Sequence, residues 1–166
     1  MKTEHDNRRI ATQLMNTAMT YARVILKRYG ELGPFGFSMS QEGEVSRETL
    51  EIPRLPEDPK RLWKLLGEHV AARARRGVVQ AVAMAANVSL AEPSAEGYVD
   101  AVAMAIEVEG GYAIEVTVPY RIYGGQVWNL LPRRIAVGKV VMEDREGRIF
   151  TPAGPTLVKG SEQHSA

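Results

Sequence analysis

The chain contains no cysteine. That excludes a disulfide-stapled scaffold, a thiolate metal site and a cysteine nucleophile, and it suits a reducing compartment. No stretch approaches the roughly 18–20 apolar residues needed to span a bilayer, and the opening MKTEHDNRRIATQ is charged throughout. The expectation is therefore a soluble, cytoplasmic protein with no membrane contact. Catalytic signatures are missing as well. There is no HExxH, no GxSxG elbow, no phosphate loop ending in GKS or GKT and no GxGxxG. Histidine is scarce: His5 and His164 fall near the two ends, and His69 falls at the border of a helix face, where it reads as a boundary residue. No metal and no cofactor are expected.

One further absence is regional. From Val79 to Tyr120 there is no lysine or arginine, although Glu92, Glu96, Asp100, Glu107, Glu109 and Glu115 all occur there. The net charge of +1 therefore hides basic segments at residues 2–30 and 59–76. These basic segments coincide with helical periodicity. Ile10, Leu14, Ala18, Tyr21, Ile25 and Tyr29 recur every 3.6 residues, which predicts a helix over about residues 6–29, with Thr3 or Asp6 as its cap and Gly30 as its stop. Asp58-Pro59 starts a second helix running to about Arg76, with Leu62, Trp63, Leu66, Val70 and Ala74 turned inward. Between the helices, Phe35, Phe37 and Met39 alternate with small residues before an SQEG turn, the pattern of a hairpin with one apolar face.

The centre of the chain repeats a word: AVAMA stands at 81–85 and again at 101–105. Alanine and methionine favour helix, but the pattern has period two in both copies, so both are read as strands. A connection centred near Pro93 would set Val82 opposite Met104 and Met84 opposite Val102. Large residues would then share one face, and Ala81, Ala83, Ala85, Ala101, Ala103 and Ala105 the other. The next turn is read as a three-residue loop, Glu109-Gly110-Gly111, of type I with a glycine bulge. That pairs Ile106 with Ile114, Met104 with Val116 and Val102 with Val118. A hairpin is expected around Gly124-Gly125, then a long strand in IAVGKVVMED and a short edge strand in EGRIF.

The order is α-β-β-α-β-β-β-β, an α+β domain with a single antiparallel sheet of about 5–6 strands and two helices packed on one face. Residues 1–152 are assigned to this domain and 153–166 to a flexible tail. The order, though no motif, is similar to that of roadblock, longin and profilin-type domains. That likeness implies no function.

Three functional expectations follow. The first is a non-enzymatic protein-interaction module, an adaptor or regulatory domain with a protein partner or a second copy of itself. Its contact surface would be the uncharged six-alanine face. The second is a small-molecule binder or enzyme using Glu107 and Glu115, which share that face on neighbouring strands. The third is nucleic-acid binding through Arg73, Arg75, Arg76, Arg133 and Arg134, with the aromatics of Tyr120-Arg121-Ile122-Tyr123 and Trp128 nearby. The pI of about 8.0 and the lack of a nucleic-acid-binding signature weigh against this reading.

Overall fold

Thr3 accepts a hydrogen bond from the Asp6 amide, and Asp6 reaches back to the Thr3 amide, so a reciprocal capping box opens helix α1, Glu4–Tyr29. Gly30 closes it in the left-handed region at φ 74. Asp58 caps helix α2, Pro59–Arg75, with proline in its first turn as expected. The strands are β1 (Phe35–Ser40), β2 (Val45–Arg47), β3 (Val79–Ser89), β4 (Asp100–Val108), β5 (Tyr112–Tyr123), β6 (Arg134–Val137) and β7 (Val141–Asp144). The computed structural model describes residues 2–125 and 130–150. Trp128 and the expected flexible tail lie outside these residues.

All seven strands form one antiparallel sheet in the order β2-β1-β3-β4-β5-β6, with β7 also beside β5. The β4/β5 ladder has the expected register, with Ile106 opposite Ile114 and Met104 opposite Val116. The loop length is right but the turn type is not. Gly110 has φ 103, whereas the corresponding position of a type I turn lies near −90°.

The β3/β4 register differs from the expectation. Ala85, three residues beyond Val82, stands opposite Met104. The reversal is made at 94–97, where the Gly97 amide bonds the Ser94 carbonyl and Gly97 sits at φ 83, and not at Pro93. An odd shift turns one strand's side chains over relative to the other's. The six alanines therefore do not share a face. Ala81, Ala83 and Ala85 lie with Val102, Met104, Ile106 and Val108 beneath α1. Ala101, Ala103 and Ala105 take the opposite face, beside Val82 and Met84.

The helices also part. Leu14, Ala18, Ala22 and Leu26 of α1 pack on the first face with Phe35 and Phe37, while Leu66 and Val70 of α2 pack on Val79, Val82 and Met84 of the second. Two helices on one face was thus the wrong arrangement. Each half of the sheet face offers a row of alanines beside a row of large side chains, a groove suited to one helix, and the two copies of AVAMA run out of phase to make one on each side.

Two smaller expectations change as well. The long final strand is broken: β6 and β7 both lie along β5, and Gly138–Val140 between them carries one residue too many, a bulge. EGRIF forms no strand. Its backbone amides are taken instead by a side chain of β4.

Candidate functional site

Glu107 is the side chain that takes them. It is 2 % exposed, and its carboxylate accepts hydrogen bonds from the amides of Arg148 and Ile149. A buried carboxylate must be satisfied in this way or neutralised. The bonds hold Arg148 and Ile149 against the second face, and Ile149 and Phe150 add apolar contacts to the α2 core. Between α2, β4 and this segment lies a groove of about 360 Å³. Met84, Ala105 and Glu107 make its floor, Trp63, Gly67, Ala71 and Arg75 one wall, Arg145 and Arg148 the other.

Glu115 shares Glu107's face, as expected, but is paired with Ala105 and lies exposed on the next strand. Glu143 of β7 stands directly opposite it. Among the described residues no group of three or more His, Asp or Glu side chains is placed to hold a metal ion. Glu107 is thus occupied with chain amides.

A second buried carboxylate is not among the residues expected from the sequence. Glu48 follows β2, and its side chain is 1 % exposed. One oxygen accepts from Ser38 Oγ and from Arg73 Nη1, and the other lies 2.9 Å from His69 Nε2. The serine donates to the carboxylate and not to the histidine. The cluster ties α2 to the β1/β2 hairpin. The spacing that could have revealed it is His69 and Arg73, four apart on the hairpin side of α2, facing the small alternate residues Gly36 and Ser38 of β1.

The five arginines of the nucleic-acid reading do not converge. Arg73 is held by Glu48, Arg75 lines the groove, and Arg133 donates to the carbonyls of Lys27 and Arg28 at the end of α1. Arg76 caps α2 and Arg134 lies in β6 opposite Tyr123. Tyr120 is no stacking platform: it is buried and donates its hydroxyl to Asn87 Oδ1 at 2.6 Å.

Of the proposed alanine surface, Ala81, Ala83 and Ala85 are sealed under α1, Ala101 is buried, Ala105 floors the groove, and Ala103 is half-buried. Exposed apolar surface lies elsewhere. On the open edge, all four residues of β7 are exposed, with Val140, Val141 and Met142 at 37 %, 46 % and 54 %. No helix among the described residues is long and apolar enough to cross a membrane. Comparison with protein-family models, curated proteins and solved structures returned no match to this chain. The class that remains is an α+β domain with an antiparallel sheet and one helix on each face.

Proposed function

We propose that this chain is a protein-interaction module that associates with a second copy of itself through the β7 edge. The observation that carries the reading is the exposed Val140-Val141-Met142 run at an edge strand, since exposed apolar edges are templates for another strand. Arg145 directs its amide to Ala113 on β5, so by alternation Met142 and Asp144 turn their backbone groups outward. A twofold register centred on Val141 then sets Val140 opposite the partner's Met142. It sets Lys139 opposite the partner's Glu143, an opposite-charge pair that occurs twice. Sliding two residues further would put Lys139 against Arg145, so charge favours the first register and opposes the second. The strand is short, which places the interface among small, transient ones.

The test uses the absence of native cysteine. In this register Val141 faces itself across a non-hydrogen-bonded pair with Cα atoms about 4.5 Å apart, within disulfide reach. Val141→Cys should give a covalent dimer on mild oxidation, much faster than Glu143→Cys. Light scattering should show a concentration-dependent dimer for the native protein and a monomer for Val141→Lys. A native protein that stays monomeric, or equal cross-linking at both positions, would sink the proposal.

A further inference from the structure

The groove beside α2 carries charge that no ion pair among the described residues uses. Among the described residues Lys64, Arg75 and Arg148 form no ion pair, and the Arg145 side chain makes only a long bond to the Glu146 carbonyl. Set against these four cations are Glu68 on the rim and Glu107, whose carboxylate faces the amides of Arg148 and Ile149. The two ends of the groove differ. The α2 wall runs from Trp63 to Arg75, and the floor from Ala105 to Glu107, where the Arg145–Arg148 segment crosses. One end is thus aromatic and small-floored, and the other gathers guanidinium groups from two separate segments.

From this we propose that the groove binds a small phosphate ester bearing a planar ring. The phosphate would lie among Arg75, Arg145 and Arg148, and the ring would lie against Trp63. Guanidinium forks match the several oxygens of a phosphate dianion, and their charge is most effective in a recess that limits water. A planar ring offers Trp63 a stacking partner worth more than its buried area alone. The volume of about 360 Å³ is at the small end of ligand sites, enough for a mononucleotide and too little for a duplex or a folded partner. Gly67 and Ala105 keep the groove open. A Cβ at Gly67 would meet only the flexible Met84 side chain, Cε at 3.6 Å and Sδ at 3.9 Å, which is ordinary contact, so the backbone packing does not demand glycine there.

The experiment is a fluorescence titration of the full chain carrying Trp128→Phe, which leaves Trp63 as the single tryptophan. The probes are AMP, ribose 5-phosphate, adenosine and inorganic phosphate. AMP should change Trp63 emission saturably. Ribose 5-phosphate should compete for the site with a smaller change of its own, and adenosine should bind at least tenfold more weakly. Arg75→Ala combined with Arg148→Ala should weaken AMP at least tenfold and flatten its salt dependence. Gly67→Leu should abolish binding while leaving the melting temperature equal or higher, which separates a blocked groove from a broken fold. The proposal is overturned if AMP shows no saturable binding, if adenosine binds as well as AMP, or if the double arginine variant binds AMP as the parent does.

Discussion

Glu48 and His69, twenty-one residues apart, meet at 2.9 Å in the interior, while the second oxygen of the same carboxylate takes both Arg73 and Ser38. A carboxylate removed from water is tolerated only while every partner is present. Removing it leaves Arg73 and His69 facing an uncompensated gap. We expect Glu48→Ala to cost about 3–5 kcal/mol, the usual penalty for breaking a buried ion pair from one side. Replacing Glu48 and Arg73 together by leucine should cost much less than the single change. Urea unfolding of the three proteins measures both. Equal stability of Glu48→Ala and the parent would show that the cluster contributes nothing.

Tyr120 gives the expected pH dependence at the alkaline end. Burial first, and the neighbouring Asp100 charge second, push its hydroxyl up to about 12. The folded state therefore holds this proton more tightly than the unfolded chain, whose tyrosines titrate near 10. Stability from this source is complete below pH 10 and is lost as pH rises toward 12. An ultraviolet titration should show Tyr120 ionising late among the six tyrosines, and Tyr120→Phe should remove that late step. Tyr98, whose pKa is also raised, by burial and by its bond with Tyr123, should remain as the other late group. If Tyr120→Phe leaves both the late ionisation and the alkaline loss of stability unchanged, the assignment is wrong.

What could be read in the sequence was whatever depends on near neighbours. Periodicity located α1, α2 and the strands, and Asp58-Pro59 and Gly30 marked helix ends, because caps and side-chain alternation are local. The Ile106/Ile114 pairing was legible because a three-residue loop leaves few choices. The ten residues between Ser89 and Asp100 leave many, and the choice of turn at 94–97 over Pro93 shifted β3 by three residues and reversed a face. The side on which α2 packs followed from that reversal. The groove and the Glu48 cluster depend on it in turn: both join α2 to residues far away in the chain, and no spacing in the sequence encodes the meeting of Glu107 with the amides of Arg148 and Ile149.

The two AVAMA copies supply the sharpest check on this register. Ala83 and Ala103 hold the same place in the same word, yet Ala83 is 1 % exposed under α1 and Ala103 is half-buried on the α2 side. A leucine at 83 would have to displace α1 from a sheet it meets through small residues, including Ala18 and Ala22. We expect Ala83→Leu to cost about 1–3 kcal/mol through overpacking. A leucine at the half-buried position 103 can reach toward solvent and should change stability by less than about 1 kcal/mol. Had the six alanines formed one surface, the two substitutions would act alike. Thermal or urea unfolding of the pair decides between these outcomes, and a double variant should show additive effects because the sheet separates the two sites.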